Sequence, residues 1–276
     1  MSMRFDDTVV WVTGASSGIG EAVVRQLDAE GANIVLSSRD PDELQAVAES
    51  LSGGGAKMVL PFDVTDEAAV SAAARAVLGR FGHVDILFNN AGITQRARVV
   101  DADLSVYRAM MAVNFFGPLM LTKAVLPSML ARGRGHIVCT TSVAGKYGSP
   151  MRSGYNAAKH AAHGFFDSLR EEVAEAGIDV TLIVPGAVRT NVSINALRGD
   201  GSLYNRMDPF LEDGMPPAEC ARRVLDAVHG RKREVLIADG VARRNVWLKR
   251  WSPALLSWTT RRRKPGRTTV PAGGST

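Results

Sequence analysis

Short apolar runs with strand character alternate with helical periodicity along the whole of this chain. The strand-like runs fall at 8–12, 33–37, 57–62, 84–88, 136–141, 179–184 and 234–237. Between them, apolar residues recur at helical spacing over 19–30, 41–51, 66–81, 104–130, 153–176 and 217–229. A helix between two strands carries the chain back to the starting edge of the sheet, so the strands run parallel. The pattern predicts an α/β fold, a doubly wound parallel sheet of about seven strands with helices on both faces. The 276 residues suit one such unit, and at 46% hydrophobic and 22% charged the chain can bury a full core. The expected domain is 1–240, followed by a C-terminal extension, 241–276. No uninterrupted apolar stretch approaches the ~20 residues of a membrane span.

The first strand-like run ends in Thr13-Gly-Ala-Ser-Ser-Gly-Ile-Gly20. Gly14 allows a tight exit from the strand, while Gly18 and Gly20 let backbone approach a phosphate and helix approach sheet. The helix N-terminus that follows favours pyrophosphate charge. The spacing is G-x-x-x-G-x-G rather than the G-x-G-x-x-G of the general fingerprint, but its strand-turn-helix context predicts a Rossmann-like dinucleotide site. About 20 residues on, Ser38 and Arg39 end the second strand, where a carboxylate would bind the ribose 2′-hydroxyl and an arginine a 2′-phosphate. Arg39 therefore favours NADP(H), with NAD(H) possible. Asp40 or Asp42 could instead pair with Arg39 as solvated loop charge.

Tyr155 and Lys159 stand four apart in a helical pattern, so the ammonium can lie beside the phenol and favour its ionised form. Such a pair can move a proton. Ser142, at a strand end, is the candidate to hold a substrate oxygen, with Thr140 and Thr141 as competitors. Asn89, Asn90 and Gly92 form a turn past the fourth strand, where an adenosine ribose would pass. Asp63 is either an adenine contact or a cap for the helix near Asp66. His160 and His163 lie one turn apart without further ligands at metal spacing, so no metal site is expected.

In chain order, the glycine turn, Asp63-Val64, Asn89-Asn-Ala-Gly92, Asn114, Ser142, Tyr155-x-x-x-Lys159 and Pro185-Gly186 resemble the motifs of the short-chain dehydrogenases/reductases. Val113-Asn-Phe-Phe-Gly-Pro118 and Ser193-Ile-Asn-Ala196 are similar to the branch holding the 7B dehydrogenase/reductases and 11β-hydroxysteroid dehydrogenases. The resemblance implies a catalytic tetrad of Asn114, Ser142, Tyr155 and Lys159, with Tyr155 as general acid/base. It also implies coenzyme contacts from Gly14, Ser16, Ser17, Gly18, Ile19, Gly20, Ser38, Arg39, Asp63, Val64, Asn90, Ala91, Gly92, Tyr155, Lys159, Pro185, Gly186, Val188 and Thr190. A homodimer or homotetramer through the helices at 104–130 and 153–176 is implied as well. Membrane-bound relatives carry an apolar N-terminal anchor, whereas this chain reaches its first strand almost at once.

The segment 188–216 follows a strand end and is the candidate substrate lid. Its Val192, Ile194, Leu197, Leu203, Tyr204, Met207, Phe210, Leu211 and Met215 suggest a mainly apolar pocket, suited to a hydrophobic ketone or secondary alcohol. Some of these side chains could simply pack the lid on the body. The expected activity is carbonyl reduction or alcohol oxidation with NADP(H). The alternatives are an NAD-dependent alcohol dehydrogenase, a 3-oxoacyl thioester reductase, or a cofactor-binding scaffold with little turnover.

The net charge of +5 is unevenly placed. From 231 onward there are 12 Lys/Arg and two acids, which leaves the first 230 residues at −5. An acidic body with a basic, Trp-bearing end does not resemble a nucleic-acid binder. Two cysteines and no signal-peptide pattern fit a cytoplasmic protein, peripheral to a membrane if the end is interfacial. Trp247, Trp251 and Trp258 among arginines and lysines could meet anionic lipid, or could pack on the body or a neighbouring subunit. Pro253 should divide this end into two short helices.

Overall fold

Side chains one residue apart along these strands enter opposite cores. Val10 and Val12, Ile34 and Leu36, and Phe88 join one apolar cluster; Trp11, Val35, Leu87 and Ile137 join the other. Both faces of the sheet are apolar, as a parallel sheet covered on two sides requires. In the computed structural model, which describes residues 3–262, the strands are β1 (Val9–Thr13), β2 (Asn33–Ser37), β3 (Lys57–Val59), β4 (Ile86–Asn89), β5 (Gly135–Thr140), β6 (Ile178–Pro185) and β7 (Glu234–Ile237). They form one parallel sheet of order β3-β2-β1-β4-β5-β6-β7. The basic side chains from 262 onward, and that of Phe210, lie outside the described residues.

Helices α1 (Gly18–Ala29), α2 (Pro41–Glu49) and α3 (Glu67–Phe81) connect the first strands. Local chemistry sets their ends. The Asp40 carboxylate accepts from the Asp42 and Glu43 amides at 3.0 and 3.1 Å, and Pro41 opens α2. Asp66 caps α3 through the Ala69 amide, and Gly82 closes it at φ 75°. Next come α4 (Leu104–Met111), α5 (Gly117–Arg132), α6 (Ser153–Val173), a short α7 (Pro209–Glu212) and α8 (Pro217–His229). After β7 the chain makes α9 (Gly240–Trp251) and α10 (Pro253–Arg262), divided at Pro253 as its sequence predicts.

Among the described residues, the helical run Leu104–Arg132 is long and apolar enough to cross a membrane, although charges interrupt it. In this fold one face of the run enters the core, through Leu121, Val125 and Met129 of the second cluster, with α5 packed on α3 and β5, while Leu104, Phe116 and Leu130 stay exposed.

Two buried histidines make the fold sensitive to acid. Thr181 Oγ1 donates to the Lys232 carbonyl at 2.5 Å, so the His136 Nε2 that meets it at 2.8 Å must be the donor. Burial holds His136 down to about 4. Burial first, and then the Lys146 ammonium, hold His163 down to about 3. Unfolded, both imidazoles take a proton near 6.5, so between that pH and the folded values the unfolded chain binds more protons. Stability is full above about 6.5 and is lost as pH falls, by on the order of 3–5 kcal/mol per histidine at the acid end. In urea unfolding across this range, His163→Leu should show a shallower acid limb than the native chain. Identical slopes would exclude His163 as a contributor.

Candidate active site

The strand order reverses direction at β1 and β4, and a cleft of about 480 Å³ opens over their C-terminal ends. Thr13 and Asn90 tie the two sides of this switch point together. Thr13 Oγ1 accepts from the Asn90 and Ala91 amides at 3.0 and 3.1 Å. The Asn90 amide group donates to the Thr13 and Gly14 carbonyls and accepts from Thr140 Oγ1 at 3.2 Å. Asn90 therefore clamps the ends of β1, β4 and β5 while lining the cleft.

The glycines have distinct jobs. Gly14 sits at φ 63°, and a Cβ there would come within 2.9 Å of the Ala91 Cα. A Cβ on Gly20 would lie 2.1 Å from the Gly14 carbonyl oxygen, so Gly20 lets α1 lie against the strand exit and does not itself line the cleft. Ser17 caps α1 without a side-chain bond, which leaves the first amides of the helix for another acceptor. A cradle of this kind, facing the positive end of a helix, fits a dinucleotide pyrophosphate. Arg39 is exposed, lines the cleft and has no ion-pair partner among the described residues. Asp40 serves as a helix cap, and Asp63 takes the Thr65 amide and hydroxyl at 2.8 and 2.7 Å while Asp66 caps α3. The expected alternatives, Arg39 paired with Asp40 or Asp42 and Asp63 as helix cap, are thus not what the chain adopts.

At the far end of the cleft, α6 brings Tyr155 and Lys159 together, with the Lys159 Nζ 5.7 Å from the Tyr155 ring centre. The first turn of α6 is held from two sides. The Gly154 amide donates to Gln95 Oε1 at 2.8 Å, and Tyr107 Oη meets Ser153 Oγ at 3.0 Å. Lys159 is buried at 4% exposure and donates to the Thr140 carbonyl at 2.8 Å.

The three hydroxyls of 140–142 are told apart by their partners. Thr141 Oγ1 is spent on the Ile183 carbonyl at 2.8 Å and Thr140 Oγ1 on Asn90. Ser142 Oγ accepts from the Ala144 amide at 3.1 Å, and its contact to the Pro185 carbonyl is long at 3.5 Å, so its proton is not firmly committed. Cys139, next along, is no nucleophile: burial pushes its thiol up to about 12 although the nearby Lys159 charge opposes this.

The predicted helix over 104–130 is broken by a π-helical turn, Ala112–Phe116, with Asn114 at its centre. The Asn114 Nδ2 donates to the Met110 carbonyl, the acceptor that an ordinary helix reserves for the Asn114 amide, and to the Ile93 carbonyl, both at 3.0 Å. Four residues on, Pro118 has no N–H to return to the Asn114 carbonyl. Both effects widen the helix here. Asn114 Oδ1 is buried without a donor among the described residues, and a Cβ on Gly92 would lie 2.9 Å from it and 3.6 Å from the Lys159 Nζ. Gly92 keeps this space open between the two side chains.

Segment 188–216 lies against the loop after β4. Leu197 exchanges backbone bonds with Thr94 and Arg96, and Asp208 forms ion pairs with Arg96 and, at 3.2 Å, Arg152. Val192, Leu203 and Leu211 reach the cleft, but Met215 packs on the first core cluster. Thr94, Arg152, Asn191 and Asn195 also line it, so this end is mixed rather than mainly apolar. Sequence reasoning missed these polar residues. Arg152 alone carried a signal, since it precedes Tyr155 by one helical turn.

Residues 8–200 match the family model for short chain dehydrogenase. Dehydrogenase/reductase SDR family member 7B of Mus musculus is 43% identical over 254 residues, covering 90% of this chain and 79% of the relative. The Danio rerio protein of that name is 44% identical over 259 residues, 91% of this chain and 84% of the relative. Among solved structures, a short chain dehydrogenase/reductase from Burkholderia phymatum in complex with NAD is 26% identical with a TM-score of 0.82, covering 91% of this chain and 96% of that one. An alcohol dehydrogenase from Thermococcus sibiricus complexed with 5-hydroxy-NADP is 28% identical with a TM-score of 0.73, covering 84% and 96%. Sequence and fold thus point to the same lineage, and the chain belongs to the short-chain dehydrogenase/reductase family of nicotinamide-dependent oxidoreductases.

Proposed function

We propose that this oxidoreductase uses NADP(H) to interconvert a ketone and a secondary alcohol whose body meets both the apolar Val192, Leu203 and Leu211 and the polar Arg152, Asn191 and Asn195, with Tyr155 as the general acid/base. The observation that carries the reading is the convergence of Asn114, Ser142, Tyr155 and Lys159 on the cleft that also holds the glycine turn. Gly14, Ser16, Ser17, Gly18 and Ile19 would hold the pyrophosphate, and Asp63, Val64, Asn90, Ala91 and Gly92 the adenosine side. Pro185, Gly186, Val188 and Thr190 would border the nicotinamide. When bound, the nicotinamide supplies or accepts the hydride.

The chain's own residues manage the oxygen and its proton. Ser142 donates its uncommitted proton to the substrate oxygen and so fixes the carbonyl. Tyr155 gives that oxygen a proton in reduction and takes it back in oxidation. The fixed Lys159 charge stabilises the phenolate left behind, and its remaining N–H groups suit ribose hydroxyls. Asn114, whose π turn shapes the helix beside Lys159, leaves its buried Oδ1 as an acceptor that would hold a water, and that water would relay protons to Lys159. Tyr155→Phe should slow ketone-dependent NADPH oxidation about 10²–10⁴-fold while coenzyme binding, followed by fluorescence titration, stays close to native. A variant with near-native turnover would remove Tyr155 from the mechanism.

The coenzyme preference rests on Arg39, which reaches the cleft without an ion pair, and on Asp40, which is committed to its helix cap. The neighbour complexed with NAD favours a second reading, an NAD-dependent alcohol dehydrogenase. Replacing Ser38 by Asp together with Arg39→Gln should shift the NADP(H)/NAD(H) ratio of kcat/KM toward NAD(H) by about tenfold or more. Equal use of the two coenzymes by the native enzyme would refute the preference.

A homodimer or homotetramer is part of the proposal. Phe116 and Leu130 at either end of α5 are 49% and 45% exposed, and rings of Phe115 and Phe165 meet edge-on across to α6. Such apolar surface suits isologous helix packing. Sedimentation equilibrium should therefore give at least a dimer, and a monomer at micromolar concentration would count against it.

A further inference from the structure

We infer that α9 and α10 form a docking surface for an anionic lipid bilayer. Three of the four tryptophans in the chain lie on these two helices, and they face outward. Trp247, Trp251 and Trp258 are 60%, 75% and 51% exposed, whereas Trp11 is fully buried in the sheet. The inward side is small: Ala242 and Leu256 are the buried residues of this pair. Trp247 and Trp251 are therefore not packed into the body, which was one of the expectations from sequence, while Trp258 is half covered.

The charges around these rings select the partner. From 240 to the end there are nine Lys/Arg and no acid. Arg243, Trp247 and Trp251 follow at i, i+4 and i+8, so they share one face of α9. Arg244 and Arg250 lie one turn either side of Trp247 on the same surface. Indole rings seated at headgroup depth, with cations beside them, are the arrangement an anionic membrane surface binds. A second copy of the chain is a poorer occupant, because isologous contact would bring two uniformly basic surfaces together. Helices of 12 and 10 residues are too short to span a bilayer, which takes ~20, so the contact is peripheral.

The surface also starts beside the active site. The Gly186 amide, in the cleft wall, donates to the carbonyl of Ile237 at the end of β7, and Asp239 caps α9 two residues later through the Ala242 amide. The helices thus leave the sheet at the edge where the cleft opens. The inference stands on this geometry alone and does not depend on the proposed reaction.

The test uses the full chain with phosphatidylcholine vesicles, with and without phosphatidylserine. Because Trp11 is buried, a change in tryptophan emission reports on the two helices. The expected result is cosedimentation with the phosphatidylserine vesicles at low salt, a blue shift of emission, and loss of both at high salt. Arg243→Gln, Arg244→Gln and Arg250→Gln combined should weaken binding roughly a hundredfold, with the thermal melt unchanged because all three are exposed. Trp247→Ala with Trp251→Ala should weaken it independently. No association at low salt, equal binding to neutral vesicles, or native binding by the double tryptophan variant would overturn the inference. So would a blue shift that depends on protein concentration without vesicles, which would give the surface to a second copy.

Discussion

A lysine ammonium buried at 4% exposure, with the Thr140 carbonyl as its described partner, is the constraint around which this active site is built. Removing an ammonium from water costs several kcal/mol unless acceptors replace the solvent. Here a single carbonyl at the end of β5 does so, and no carboxylate pairs with it among the described residues. The arrangement stabilises a positive charge at one point without neutralising it. Such a charge retains attraction for a phenolate and for hydroxyl oxygens that enter the cleft, and Tyr155 lies one helical turn away.

Holding that charge in place involves most of the fold. Lys159 is positioned by α6, whose first turn is pinned by Gln95 and Tyr107, and by β5, whose end is tied through Thr140 and Asn90 to β1 and β4. The same Asn90 holds the glycine turn, so the glycine-turn end and the Tyr155–Lys159 end of the cleft share one hydrogen-bonded brace. Asn114 reaches the site because its side chain and Pro118 together open the helix into a π turn. Specific local chemistry thus converts a common sheet topology into a site with fixed spacing.

The fold was legible because both periodicities were strong. All seven strands and the helices of 217–229 and 66–81 stand where the sequence places them to within a few residues. The glycine turn and the four-residue spacing of Tyr155 and Lys159 could be read because each has a local physical meaning, whereas Ser142 stood out from Thr140 and Thr141 only through the family resemblance. What was not legible depended on through-space contacts. Nothing along the chain says that Thr140 and Thr141 are spent on Asn90 and Ile183, or that Asp208 bridges to Arg96 and Arg152. The π turn was hidden too, since Asn114 and Pro118 sit in a pattern that reads as continuous helix. The apolar residues of 188–216 misled for a related reason: composition does not distinguish Leu211, in the cleft wall, from Met215, on the core.

The claim that the Lys159 charge is maintained for ligand and proton rather than for stability is open to one direct measurement. Lys159→Met keeps the length of the side chain and removes the buried charge. NADPH titration calorimetry and thermal unfolding without coenzyme should be run on the variant and the native chain. The account predicts a variant at least as stable as the native protein that binds NADPH tenfold or more weakly, since the lost charge-assisted bonds are worth roughly 1.5–3 kcal/mol. A variant that unfolds markedly earlier yet binds NADPH as tightly would contradict it.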